Sequence, residues 1–126
     1  MILIIGGRYQ GKLEYAKSRF GLSDEDIFTC DEAVDAINFD RRCVAYIDRW
    51  VLGRVRAGED PAAILAASLD RMADAIVICT DISCGVVPAD AEMRAWRDAC
   101  GRVNAMLADR AGEVWRLFCG LPQRIK

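Results

Sequence analysis

The stretch Ile2-Leu3-Ile4-Ile5-Gly6-Gly7-Arg8-Tyr9-Gln10-Gly11-Lys12 decides how this sequence is read. Residues 2–5 form a short continuous apolar run, the pattern of a parallel strand covered on both faces. Residues 6–12 fit GxxxxGK and lead into residues 12–20, which read as a helix. A glycine loop between strand and helix is the setting in which such a loop cradles phosphate. Glycines let backbone amides turn inward, the helix N-terminus adds partial positive charge, and the lysine reaches the outer phosphates. Gly6, Gly7, Arg8, Tyr9, Gln10, Gly11, Lys12 and Leu13 are therefore candidate nucleotide-binding residues, and Lys12 is also a catalytic candidate. Leu13 stands where a Ser or Thr hydroxyl would bind Mg²⁺, so the sequence predicts phosphate cradling with weakened Mg²⁺ support.

Further apolar runs follow at residues 43–48, 75–80 and 113–119, with a weaker one at 26–30. Helical stretches separate them. Residues 31–38 read as a short helix opened by Asp31, and 49–57 as a helix ended by Gly58. Asp60-Pro61 supplies an N-cap and a first-turn proline for a helix over about 61–73. Residues 89–111 are the clearest helix, because Met93, Trp96, Cys100, Val103 and Leu107 make one apolar stripe. Gly112 reads as its C-cap. Strands separated by helices predict an α/β fold with a mainly parallel central sheet of about five strands, in a single domain over 1–126.

Composition narrows the function. A hydrophobic content of 53% with 29% charged residues is globular, and a net charge of −2 argues against nucleic acid as a partner. No apolar run nears the ~20 residues of a membrane helix, and the start lacks a basic leader, so a cytoplasmic protein without membrane contact is expected. With no histidine, Ser–His–Asp and Cys–His chemistry and His-containing zinc sites are excluded. The six cysteines, at 30, 43, 79, 84, 100 and 119, form no CxxC pair. Cys43, Cys79, Cys100 and Cys119 sit in or beside apolar runs and read as buried reduced thiols. Residues 21–40 hold seven acids and no base, a solvated face or a docking surface.

Two acids close apolar runs. Asp48 ends CVAYID and Asp81 follows AIVICT, which would bring both to the carboxyl edge of a parallel sheet, where ligands bind. Asp48 is a catalytic candidate and the candidate metal ligand, and Asp81 is a catalytic candidate; capping of a following helix or turn is the other reading of each. On the long helix, Arg94 and Arg97 share a face with Asp98 and Gly101. They are candidates for binding phosphate or substrate, or else make surface pairs with acids. Gly101 costs about 1 kcal/mol against alanine in a helix interior, which close approach of a backbone or ligand would offset.

Residues 85–104 carry Gly85, Val87 and Pro88 as a GxVP turn, then Arg97-Asp98 and Gly101-Arg102-Val103-Asn104 as an RD-x-x-GRVN segment. With Gly6-Gly7, Gly11-Lys12, Glu113-Val114-Trp115, Gly120 and Ile125-Lys126, the chain resembles the adenosylcobinamide kinase / adenosylcobinamide-phosphate guanylyltransferase family of cobalamin biosynthesis. The register runs over about 1–20 and 75–126, with a shortened middle. The resemblance implies a P-loop NTPase-like fold, GTP or ATP as phosphoryl donor, the hydroxyl of a corrinoid precursor as acceptor, and a homo-oligomer, a trimer. The family then attaches GMP through a histidine, and this sequence has none. Asp81 is shorter than the family's glutamate-like acid, and Ser83 replaces a usual glycine. Three functions are thus in view: a small nucleotide-dependent kinase, a nucleotide- or corrinoid-binding homologue without turnover, and a partner subunit whose loop is vestigial.

Overall fold

A computed structural model describes residues 1–83 and 85–126; Cys84 lies outside the described residues. Six strands make one sheet: β1 (Ile2–Gly6), β2 (Ile27–Thr29), β3 (Cys43–Ala45), β4 (Ile76–Thr80), β5 (Glu113–Phe118) and β6 (Leu121–Arg124). Their spatial order is β2-β3-β4-β1-β5-β6, and among them β6 alone runs antiparallel to its neighbour. The helices are α1 (Lys12–Phe20), α2 (Ile47–Arg56), α3 (Pro61–Ala66) and α4 (Ala91–Arg110). The architecture is α/β with a mainly parallel sheet between helices. Among the described residues no helix is long and apolar enough to cross a membrane.

Strand alternation builds two layers. Leu3, Val44, Val77 and Cys79 enter a core with Trp50 of α2, Leu65 of α3, and Trp96, Val103 and Leu107 of α4. Ile4, Ile76, Ile78 and Leu117 face the other way, against Ala16 of α1. The central strands are buried on both faces, which is why they are apolar without alternation. Asp90 caps α4 by accepting the Met93 N–H at 2.8 Å, and Asp60 caps α3 by accepting the Ala62 N–H at 3.1 Å.

Several local expectations are corrected. Residues 31–38 form turns and bends rather than a helix, because Asp31 Oδ1 closes an Asx turn onto the Ala33 N–H. The run 43–48 is not one strand: it stops at Ala45, Tyr46 takes a left-handed φ of 62°, and Asp48 falls in the first turn of α2. The helix over 61–73 breaks into α3 and a 3₁₀ turn at Leu69–Met72. The fifth run ends at Phe118, Cys119 turns with φ 50°, and β6 is an added sixth strand. Ala111, not Gly112, ends α4 in extended backbone, and the Gly112 N–H bonds the Met1 carbonyl. Nothing described approaches Gly101, which is exposed, so close packing does not explain it. Cys119 is exposed, whereas Cys30 is buried with Cys43, Cys79 and Cys100. The acids of 21–40 do face solvent but are partly paired, with Asp24 on Lys17, Glu32 on Arg56 and Asp35 on Arg54.

Gly53, in the middle of α2, is where the 31–33 segment touches the helix. A Cβ there would stand 2.2 Å from the Glu32 carbonyl oxygen. Helix propensity favours alanine over glycine by about 1 kcal/mol, and the clash opposes it. Gly53→Ala should lower stability in chemical denaturation by about 1–3 kcal/mol, as overpacking does. A more stable variant would show that this contact is not maintained.

Candidate functional site

The glycine loop leaves β1 through Gly6, whose φ of 157° and lack of a side chain admit the Leu117 carbonyl oxygen 2.5 Å from where a Cβ would be. Tyr9 takes a left-handed φ of 58° and stands fully exposed at the loop tip. Gly11 is the N-cap of α1 and puts no side-chain cap on the first turn, so that turn's N–H groups have no side-chain acceptor there. The Gln10 carboxamide oxygen accepts the Cys119 N–H, which braces the loop against the β5–β6 turn.

Lys12 is the first residue of α1 and only 4% exposed. Its Nζ folds back onto the Gly7 carbonyl at 2.7 Å. Burial lowers its pKa from the usual lysine value, and the charge of Asp48 partly offsets that. Asp48 is likewise buried. Its Oδ1 accepts the Thr80 N–H at 2.8 Å, and its carbonyl accepts the Trp96 indole N–H at 2.7 Å. Burial first, and then the nearby Asp48 charge, push the Cys30 and Cys100 thiols up to about 12, so they are inert packing groups.

Lys12, Asp48, Thr80 and Trp96 line a cleft of about 1030 Å³, ample for a nucleotide. One wall is the loop from Arg8 to Leu13 with Glu14, and the other carries Asp31, Glu32 and Ala33, with Leu52, Met93 and Trp96. Arg8 lies over the Trp96 ring at 5.8 Å, and Arg49 over Tyr46 at 4.8 Å.

The candidate residues are thus divided. Arg8, Tyr9, Gln10, Gly11, Lys12, Leu13 and Asp48 meet at the cleft, at the carboxyl edge of the sheet. Gly6 and Gly7, at the start of the loop, and Asp81, Arg94 and Arg97 are not in its lining. Asp81 Oδ1 accepts from the Ser83 N–H at 2.9 Å and from the Ser83 hydroxyl. Arg94 donates to the carbonyls of Pro88 and Ala89, and Arg97 to those of Val86 and Ser83, so both clasp the loop that precedes α4. Sequence reasoning passed over Thr80, Trp96 and the Asp31–Ala33 wall. Trp96 was legible only as one member of an apolar stripe, and Thr80 only as the polar end of an apolar strand.

A central parallel sheet, a GxxxxGK loop capping its β1 and an acid beside the loop lysine define a P-loop NTPase-like domain. The family model for cobinamide kinase / cobinamide phosphate guanyltransferase matches residues 34–125. The chain belongs to this family. It is similar to the bifunctional adenosylcobalamin biosynthesis protein CobU of Salmonella typhimurium, with 39% identity over 72 residues, covering 56% of this chain and 40% of that protein. It is also similar to the protein of that name from Escherichia coli, with 35% identity over 63 residues, covering 50% of this chain and 35% of that protein. The matched part therefore spans less than half the length of either curated relative. The family match begins after the glycine loop, whose reading rests on its own residues and geometry.

Nucleoside triphosphates in P-loop sites are commonly bound together with Mg²⁺. The donors present suit a cation held mostly by phosphate oxygens and water, as Mg²⁺ usually is. Asp48 offers a carboxylate at the loop, Leu13 offers only carbon, and the described residues contain no cluster of three or more Cys, Asp or Glu able to hold a metal unaided.

Trp96 joins the cleft wall to the backbone at Asp48 through one buried hydrogen bond. Trp96→Phe keeps an aromatic ring but removes the donor and part of the buried indole, leaving a buried carbonyl without its partner. Denaturation should show a loss of about 1–3 kcal/mol. No loss would mean that this bond does not hold the start of α2.

Proposed function

We propose that the cleft binds GTP or ATP with its phosphates on residues 6–13, and that the chain transfers a phosphoryl group to a corrinoid-precursor hydroxyl in cobalamin biosynthesis. The observation carrying this reading is the buried Lys12 ammonium, held at the mouth of α1 beside the buried Asp48. A buried cation is costly unless paired, and phosphate oxygens would pair it while the loop amides and the helix N-terminus receive the remaining charge. The acceptor is supported by family membership and by the names of the two relatives.

Each residue has a stated part. Lys12 offsets charge on the outer phosphates, as the loop amides do. Asp48 would anchor Mg²⁺ or its waters, and the cation would supply neutralisation of the charge carried by the phosphates. In the transfer, the acceptor oxygen bonds the terminal phosphorus, the bond to the bridging oxygen breaks so that nucleoside diphosphate leaves, and the hydroxyl proton passes to solvent. Asp81, Arg94 and Arg97 would act from the neighbouring loop rather than from the cleft wall. Guanylyl transfer through a histidine has no nucleophile within these 126 residues. Nucleotide or corrinoid binding without turnover is the second reading, favoured by Leu13 at the hydroxyl position.

Calorimetric titration with ATP and GTP tests the site. Lys12→Ala should weaken the preferred nucleotide about 10- to 100-fold, the loss of a charge-assisted contact of ~1.5–3 kcal/mol. Equal affinity in the variant would remove the loop from the phosphate site. Divalent-dependent binding by the unsubstituted protein would favour the kinase, and divalent-independent binding the non-catalytic homologue.

The lysine also predicts a pH signature. Burial lowers the Lys12 pKa in the free protein, and bound phosphate must raise it. Between those two values the free protein holds less than a full proton on Lys12 and the complex holds it fully. Binding at alkaline pH should therefore take up a proton, seen as a dependence of the binding heat on buffer ionisation enthalpy. That Lys12 uptake should fade once the pH falls below the free protein's lowered Lys12 pKa, because both states are then protonated.

A further inference from the structure

Resting on the nucleotide reading of the glycine loop, we propose that Thr80 supplies the hydroxyl that Leu13 lacks, so that Thr80 and Asp48 together hold the divalent cation that accompanies the nucleotide.

Position is the first argument. Thr80 is the last residue of β4 and pairs in register with Gly6, the residue from which the glycine loop departs. Strand alternation then fixes its face. Val77 and Cys79 enter the core shared with α2 and α4, while Ile76 and Ile78 enter the layer beneath α1. Thr80 continues the second series, so its side chain lies on the face of α1, the helix that carries Leu13.

Environment is the second argument. Ile76, Val77, Ile78 and Cys79 are all apolar, and the strand turns polar only where it meets the cleft. Thr80 is 3% exposed, yet it lines the cleft together with Lys12, Leu13 and Asp48. Its own N–H holds Asp48 Oδ1 at 2.8 Å, so carboxylate and hydroxyl-bearing residue are fastened together. An alcohol oxygen and a carboxylate are the hard donors that Mg²⁺ takes beside phosphate oxygens and water. The usual hydroxyl comes from the first turn of the loop helix. Here it would come from the neighbouring strand, one step across the sheet.

Charge adds a condition. Asp48 faces the Lys12 cation, so the protein alone offers an incoming dication little net negative charge. The cation should bind weakly by itself and tightly with the phosphates.

Thr80→Val tests this, since it removes the hydroxyl while keeping the shape, the strand preference and the N–H that holds Asp48. ATP and GTP are titrated calorimetrically in EDTA and in Mg²⁺, and Mn²⁺ binding is followed by electron paramagnetic resonance with and without nucleotide. The unsubstituted protein should bind nucleotide more tightly with Mg²⁺ and hold Mn²⁺ firmly only when nucleotide is present. Thr80→Val should lose about tenfold in Mn²⁺ affinity of the ternary complex with unchanged nucleotide affinity in EDTA, and Thr80→Ser should retain both. If Thr80→Val does not fold, Thr80→Ala takes its place in the same titrations. Full cation affinity in the hydroxyl-less variant overturns the proposal. So does an equal loss of nucleotide affinity with and without metal, which would place the hydroxyl on phosphate instead. Nucleotide binding that ignores divalent cations overturns the proposal and leaves the nucleotide reading standing, whereas no nucleotide binding at all overturns both.

Discussion

A buried carboxylate must be paired, and the way Asp48 is paired organises this molecule. Asp48 belongs to α2, and its Oδ1 is held by the last amide of β4. Its carbonyl is held by the indole of α4, and the Lys12 ammonium of α1 supplies the opposing charge. One residue thus ties three helices and a central strand at a single point on the carboxyl edge of the sheet. Loss of the carboxylate would leave the buried Lys12 without its opposing charge and the Thr80 N–H without its acceptor, so the fold and the cleft depend on the same contacts.

The cleft is built from unlike walls. The loop side offers backbone amides, a helix N-terminus, Arg8 and Lys12, all suited to phosphate. The facing side offers Asp31 and Glu32 with the apolar surfaces of Leu52, Met93 and Trp96. A ligand with an anionic end and a less charged, hydrogen-bond-donating remainder matches this asymmetry, as a nucleotide does. Arg8 over Trp96 bridges the walls with a contact that yields easily, because a cation on an aromatic face near solvent contributes only about 0.5–1 kcal/mol.

Much of this was legible in the sequence, for physical reasons that differ by element. The continuous run Ile2–Ile5, the glycines after it and the stripe from Met93 to Leu107 are patterns that few other structures can satisfy. Asp48 was legible as a residue of the sheet's carboxyl edge, but its place inside the first turn of α2 was not, because the left-handed turn at Tyr46 uses no glycine and leaves no mark. Asp31 carries the same signal for an Asx turn as for a helix cap, and here the turn prevails. Strand β6 has every residue exposed and a proline within it, so it has no apolar period to detect. Arg94 and Arg97 were placed on the right helix, but the loop they clasp is set by tertiary contacts that spacing along α4 does not encode. The family resemblance located the GxVP turn and the helix after it, and the family match confirms that stretch.

The order of the strands has a consequence for how the chain comes together. Strand β1 lies between β4 and β5, both later in the chain, with Ile2 opposite both Ile76 and Glu113. Both pairings span long stretches of sequence, and such contacts form slowly because the intervening loop must close first. During synthesis the apolar strand β1 therefore waits for its first partner until β4 has emerged, and for its second until β5 has. The glycine loop, although early in the chain, becomes a shaped surface only when the β5–β6 turn arrives to receive Gln10. A chain stopped before β5 would consequently leave one edge of β1 unpaired and the glycine loop without its brace, so closing the sheet and bracing the cleft are one event.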